Sequence, residues 1–425
     1  MTSKARRLAA IAFSTFAVLL SIITIVQPYN NSPPIRSDGI GYHAWTQAIQ
    51  RGSISFCEDK PILDTVGAVS MLHPTENRCG NKYPPGVGIT QAPFTALLGR
   101  YDINQGLSSA SHWIVLSLGS ALLLGTVFVT GKTLESYGGS IAAILGASLA
   151  VIFGTGLLHY ATYDGSFSHI YSAFFFACTL FIASQQGAEH ATPRARAGTI
   201  AYAAFCVLLM LIRPTNLLLV VASSAVAASN QAFSTRKKIN LVLAGALALL
   251  FGLTFYLSYN FYHLGVLTLS TYGREKVVPM ATHTLQVFLS YERGLFTYYP
   301  ITILLVSLGW LSKQRSIYVI SIAVILGYGL IYGSWKSWYL GGGFGHRGFV
   351  DMAPLMILTL GLTIDQIRQL RWKRFLLPLV SSLAVICIYV TATTQHAYWN
   401  SDFPFIGADQ QMYWNTLLQS PNKKE

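Results

Sequence analysis

LAAIAFSTFAVLLSIITIVQ at residues 8–27, continued by PYNNSPPIRSDGIGYHAW at 28–45, decides the fold class. The first run is long and apolar enough to cross a bilayer, which takes about 20 mostly apolar residues. The second brings a carboxylate, Asp38, to the start of the longest polar segment of an otherwise apolar chain. Acidic residues are scarce, 16 in 425, so an acid in that setting is the leading candidate for chemistry.

Composition points the same way. A chain that is 52% hydrophobic and 11% charged is not an ordinary soluble domain. Further apolar runs fall near 109–130, 139–157, 168–185, 239–260, 298–312, 316–332, 349–367 and 375–394. The stretch 199–228 is too long for one straight crossing and is interrupted by Arg213-Pro214-Thr215-Asn216, so it reads as two short spans. The expectation is an all-α polytopic membrane protein of about eleven transmembrane helices. Lys4, Arg6 and Arg7 precede the first run as in a signal sequence, but no small-x-small site follows, and the run is read as an anchor.

Lys and Arg gather in short connections, at Arg194 and Arg196, Arg236–Lys238, Lys313 and Arg315, and Arg368–Arg374. The positive-inside rule makes those connections cytoplasmic. The net charge of +13 then reflects topology and contact with anionic lipid headgroups, and calls for no nucleic acid. Left outside are 28–108, 158–167, 213–216, 261–297, 333–348 and the segment after 394. Every polar motif of chemical interest falls on that side, which argues for one extracytoplasmic active face on a multi-pass inner (plasma) membrane protein.

The first outer loop, 28–108, holds Cys57 and Cys79, while Cys178, Cys206 and Cys387 lie in spans. A disulfide between the first two suits an oxidising compartment and would contribute about 3 kcal/mol in the chain-entropy model; two free thiols are the alternative. Tyr42, Trp45 and Ile49 have helical spacing, consistent with a short helix lying along the interface. In Asn81-Lys82-Tyr83-Pro84-Pro85-Gly86 the prolines fix an extended backbone that holds Lys82 in place. The apolar segment 87–100 is too short to cross.

These segments resemble the GT-C class of integral membrane glycosyltransferases, in particular the protein mannosyltransferase and aminoarabinose transferase branch. SDGIGYHAW at 37–45 and NKYPPGVGITQAPF at 81–94 look like that branch's loop acid and its Pro-Pro element. YDGSFSHIYSAF at 163–174, LIRPTN at 211–216, YERGLFTYYP at 291–300 and WYLGGGFGHRGFVDMAP at 338–354 are similar to later segments. The resemblance implies one GT-C-like domain over 1–394 with a short extracytoplasmic tail, 395–425. It implies a polyprenyl-phosphate-linked sugar as donor and transfer to a hydroxyl with inversion.

In that chemistry a carboxylate opposite the leaving group serves as base, a role assigned to Asp38. The lipid phosphate leaves as an anion and needs positive charge rather than an acid, for which Lys82 and Arg347, with His346 beside it, are the candidates. Glycines around Arg347 allow close backbone approach, although a connector with a snorkelling Arg is the plain alternative. Asp164 is the second acid; it orients the acceptor, shares a divalent cation (Mg or Mn) with Asp38, or caps a helix. Tyr42, His43, Tyr83, His169, Arg213, Glu292, Arg293 and Trp338 complete the expected substrate-binding set, with an interfacial aromatic belt as the other reading of Trp338.

The expected partners are the lipid-linked donor, a glycan or lipid acceptor and membrane lipid. The short tail favours an envelope glycan over a protein that needs its own binding domain. A lipid-linked glycan flippase or transporter would place its site at the midplane between repeats, and only one broken span is present. An O-antigen ligase or polymerase would carry its large outer loop late in the chain rather than early.

Overall fold

The computed structural model describes residues 35–65, 67–68, 72–75, 78–97, 109–185, 193–269 and 282–418. The expected span at 8–27 lies outside them. The numbered helices are α1 (Asp38–Arg51), α2 (Gly86–Ala96), α3 (Ser109–Ser136), α4 (Ile141–Gly154), α5 (Ser168–Ser184), α6 (Pro193–Ile212), α7 (Leu217–Ser229), α8 (Thr235–Leu264), α9 (Ile301–Leu308), α10 (Arg315–Gly333), α11 (Ala353–Ile367), α12 (Lys373–Trp399) and α13 (Gln410–Leu418). Strands β1 (Leu72–Thr75) and β2 (Arg78–Asn81) form one antiparallel hairpin, with Leu72 opposite Asn81.

Among the described residues, five helices are long and apolar enough to cross a membrane: Ala110–Ser136, Thr235–Leu264, Arg315–Gly333, Arg347–Ile367 and Lys373–Trp399. Five more apolar helices are shorter, among them Arg196–Ile212 and Pro214–Ser229. The described chain is therefore mostly helical and multi-pass by length and composition, and among the described residues five of the expected crossings stand as full-length spans. The two halves of 199–228 meet at a 3₁₀ turn, Pro214–Asn216, where proline denies α6 its next backbone donor.

The chain divides into two compact units, one drawn from Met1–Val129 and Tyr160–Arg274, the other from Thr130–His159 and Glu275–Glu425. In the first unit α1 packs along α2, and α6 lies against α5 and α8. Gly88 makes the α1–α2 approach possible, since a Cβ there would stand 2.3 Å from the Cβ of Trp45. Helix α1 does not lie along an interface as its spacing suggested. Residues Tyr42 to Ala48 are all buried, because the prolines at 84 and 85 turn α2 back over it.

In the second unit α11 is buried over nearly its whole length, packed by α4, α9, α10 and α12. Its buried polar groups find partners nearby: Thr359 pairs with Ser321 at 2.7 Å, Thr363 donates to the Thr359 carbonyl, and Asp365 accepts from both the backbone N–H and the hydroxyl of Ser140. Helix α12, by contrast, exposes Leu379, Val385, Ile386 and Tyr389, an apolar face that water would not tolerate over such a length.

Cys57 and Cys79 are joined, with Cα atoms 4.9 Å apart. Beside them Arg51, at the end of α1, grips buried Asp59 with two hydrogen bonds, Nη1 to Oδ1 at 3.0 Å and Nη2 to Oδ2 at 2.7 Å. Burial pushes the Asp59 carboxyl above its ordinary range, and Arg51 pulls it back part of the way. A raised carboxyl favours the fold at low pH and loses that contribution as pH rises through the folded value. Arg51→Ala removes the opposing pull, so its destabilisation should grow between pH 4 and pH 7, reaching roughly 2–4 kcal/mol. Thermal melting in detergent across that range measures it; a cost independent of pH would contradict the assignment.

Candidate active site

The first unit assembles the sequence motifs around one residue, Tyr83. Its hydroxyl donates to Asp38 Oδ1 at 2.7 Å, and its carbonyl accepts from Trp45 Nε1 at 2.6 Å. Its N–H donates to Asn81 Oδ1 at 2.9 Å, and its ring leans on Tyr42, centroids 4.7 Å apart. Asn81, fully buried, returns the favour to α1 by donating its side-chain amide to the carbonyl of Gly41 at 2.7 Å. Its backbone is fixed by Tyr259 of α8, whose hydroxyl receives the Asn81 N–H at 2.8 Å. Tyr83 is thus fixed at side chain and backbone, and so is the direction from which Asp38 is held.

Asp38 opens α1, half-buried, and the residue before it carries the strain of that entry: Ser37 has φ 44°, a left-handed value costly for any residue with a Cβ. The turn is closed by Gly39 N–H to the carbonyl of Arg36 at 2.9 Å. Gly39 cannot be larger, since a Cβ there would fall 1.7 Å from Ser166 Oγ and 2.7 Å from Ser166 Cβ. The first loop and the YDGSFSH segment are therefore in direct contact.

That contact carries charge. Arg36 donates to Asp164 Oδ1, with Nε at 2.9 Å and Nη2 at 2.8 Å, and its guanidinium lies over the Tyr163 ring, 3.7 Å from the centroid. Asp164 is almost wholly buried, so the pairing supplies what a buried carboxylate requires. It is not a helix cap: α5 begins four residues later with Phe167 at its N-cap. Arg213, at the break after α6, donates to His169 Nδ1 at 3.0 Å, and His169 in turn packs edge-on against Tyr160 at 4.6 Å. An arginine beside a broken helix finds a polar partner there instead of hydrocarbon.

His43 sits inside rather than at an opening, 1% exposed, with Nδ1 2.7 Å from Gln91 Oε1. Gln91 passes its other end to Tyr171, whose hydroxyl donates to the carbonyl of Gly165. This chain ties α1, α2 and α5 together, and it fills His43 with a structural contact. Lys82 is half-buried, its Nζ 5.1 Å from the centroid of the Tyr83 ring.

The second unit holds the remaining expected residues as separate groups. Arg347 donates to the carbonyl of Leu340, a residue at φ 60°, so the glycine-rich loop is closed on itself by its own cation. His346 is buried between the Tyr332 and Phe349 rings, 5.1 and 5.0 Å away. Trp338 is largely buried and meets Tyr339 edge-on. Arg293, 1% exposed, donates to its neighbour's carbonyl at Glu292 and to that of Phe405, while Glu292 Oε1 accepts from Gly407 N–H at 3.2 Å. The segment after α12 thus covers Glu292 and Arg293, which the sequence reading gave to substrate.

Arg36, Asn81 and Gln91 were absent from that reading. Arg36 could have been found, since a rare acid destined for burial needs a cation and Arg36 lies two residues before Asp38. Asn81 and Gln91 act through polar ends whose partners are far away in sequence.

No protein-family model and no curated protein sequence matches the chain. Solved structures do. The archaeal oligosaccharyltransferase AglB from Archaeoglobus fulgidus, in complex with an inhibitory peptide and a dolichol-phosphate, matches with a TM-score of 0.50 at 11% identity, over 97% of this chain and 56% of that one. The apo form of the Archaeoglobus fulgidus oligosaccharyltransferase gives 0.50 at 10% identity, over 97% and 58%. The shared fold is GT-C-like. The chain spans little more than half the length of these structures, and at such identity the likeness is one of fold.

The divalent cation expected between Asp38 and Asp164 meets a poor donor set. Asp164 is engaged by Arg36 and Asp38 by Tyr83, and among the described residues no group of three or more His, Cys, Asp or Glu could hold a metal. A hard cation seeks six or more oxygens.

Gly39→Ala should lower the melting temperature and cost about 1–3 kcal/mol, as overpacking does. The double change Gly39→Ala with Ser166→Gly should recover most of the loss; failure of that rescue would show that the Gly39–Ser166 approach is not what the glycine serves.

Proposed function

We propose that this chain is a membrane glycosyltransferase that moves a sugar from a polyprenyl-phosphate donor to an acceptor hydroxyl with inversion, Asp38 acting as base. The observation that carries the reading is the Asp38–Tyr83 pair: a carboxylate at a strained helix entry that accepts from the Tyr83 hydroxyl at 2.7 Å, within a GT-C-like fold. The AglB structure contains a dolichol-phosphate, which supports a lipid-phosphate leaving group here.

In the proposed reaction the acceptor oxygen attacks the anomeric carbon as the bond from that carbon to the phosphate oxygen breaks. The acceptor proton passes to the Asp38 carboxylate, and the electron pair leaves with the lipid phosphate. Tyr83 keeps one carboxylate oxygen engaged, which aims the base. Lys82, half-buried beside Tyr83, is proposed to meet the negative charge that develops on the phosphate. Arg36 and Asp164 neutralise each other, so Asp164 is proposed to shape the site rather than to exchange protons. No step is routed through a metal.

The membrane setting belongs to the same proposal: about eleven crossings in the inner membrane with the reacting face outside, following the distribution of Lys and Arg. The branch, protein mannosyl or aminoarabinose transferase, rests on the sequence motifs, and an envelope glycan is the acceptor proposed with it.

Deletion of the protein should remove one sugar substituent from the envelope glycans, read by mass spectrometry. Wild type should restore it, and Asp38→Asn at matched expression should not, with transfer reduced about 10²–10⁴-fold. Tyr83→Phe should retain folding and lose roughly tenfold, since one charge-assisted hydrogen bond to the base is removed. Full restoration by Asp38→Asn would sink the assignment.

A further inference from the structure

An apolar cleft of about 210 Å³ lies wholly within the second unit, between α4, α9, α11 and α12. Gly146 and Ala150 form one wall, Leu304 and Ile364 two others, and Leu377 and Ala384 the last. The room exists because α4 offers small side chains where its neighbours offer Leu and Ile; even a Cβ on Gly146 would only touch Ile364, at 3.6 Å. A cavity of about 150 Å³ accepts a benzene ring, so this one accepts a run of several methylenes.

One end of the cleft is ringed by cations. Arg368 lies one helical turn beyond Ile364, its N–H bonded to the Ile364 carbonyl at 3.0 Å, and its guanidinium donates to Ser140 Oγ at 2.9 Å. Lys373 and Arg374 stand four and three residues before Leu377 on α12, the spacing of neighbours on one helix face. Both are exposed, and neither belongs to an ion pair among the described residues. Trp372 and Phe375, 68% and 73% exposed, flank them with apolar bulk of the kind that anchors a helix at a membrane surface. Of the acids on this side, Asp365 is engaged by Ser140 and Glu135 by Lys132.

We propose that this cleft is a binding site for an anionic glycerophospholipid, one acyl chain lying between α4 and α12 and the phosphate held by Arg368, Lys373 and Arg374. A zwitterionic lipid brings its own cation to that rim and gains less. The site is remote in sequence from Asp38 and does not depend on the catalytic reading.

The test uses the full chain in nanodiscs of phosphatidylcholine containing a minor fraction of phosphatidylglycerol, followed by detergent extraction and mass spectrometry of the lipid that stays bound. Wild type should retain phosphatidylglycerol enriched about tenfold or more over its bulk share, as cations near a headgroup imply. Lys373→Gln with Arg374→Gln, both on the exposed surface, should remove the enrichment while leaving the melting temperature unchanged. Ala150→Phe should fill the cleft and lower the amount retained. Enrichment that survives the double charge variant, retained lipid in the bulk proportion, or a polyprenyl phosphate carried through from the cells in place of phospholipid would each overturn the proposal.

Discussion

A single buried amide, Asn81, fixes the geometry on which the rest of the first unit depends. It ends β2, two residues after the disulfide-linked Cys79, and it reaches three ways: to the Gly41 carbonyl in α1, to the Tyr83 N–H, and through its backbone to Tyr259 in α8. A buried amide that left any of these unmade would cost about 1–3 kcal/mol for each orphaned group. The disulfide therefore does more than close a loop. It sets the end of the hairpin, the hairpin sets Asn81, and Asn81 sets Tyr83 and with it Asp38.

Around that tie, charge is arranged by burial. Asp164 and Asp59 are both buried acids, and each is met by an arginine, Arg36 and Arg51, from opposite ends of the same short stretch. Asp38, less buried, accepts a directed hydrogen bond from the Tyr83 phenol. A guanidinium on a buried carboxylate pairs its charge outright. The functional proposal therefore gives Asp164 and Asp59 structural parts and Asp38 that of base.

The second unit solves a different problem. Its central helix, α11, is buried along its length and bonds its few polar groups to Ser321 and Ser140, while α12 turns Leu379, Val385 and Ile386 outward. Where no water can satisfy a polar group, each must find a protein partner, and apolar side chains need none. The loops at its ends are closed by their own cations, Arg347 onto Leu340 and Arg293 onto Phe405.

The sequence by itself determined what depends on local composition. Apolar runs of sufficient length fold as helices, so the long apolar helices of the described chain fall where hydropathy placed them, and the Arg-Pro at 213–214 broke one stretch because proline lacks a backbone donor. It also singled out Asp38, because an acid is rare enough in such a chain to be noticed. What only the tertiary structure decided is which polar groups meet. That α1 is buried rather than interfacial, that the Tyr83 hydroxyl meets Asp38, that Arg36 pairs with Asp164 and that Glu292 and Arg293 are covered by the chain's own later segment all follow from contacts between residues 40 to 130 positions apart. Hydropathy is additive along the chain and can be read from it. Hydrogen bonds are pairwise and directional, and a single polar residue gives no sign of its partner until packing brings the two together.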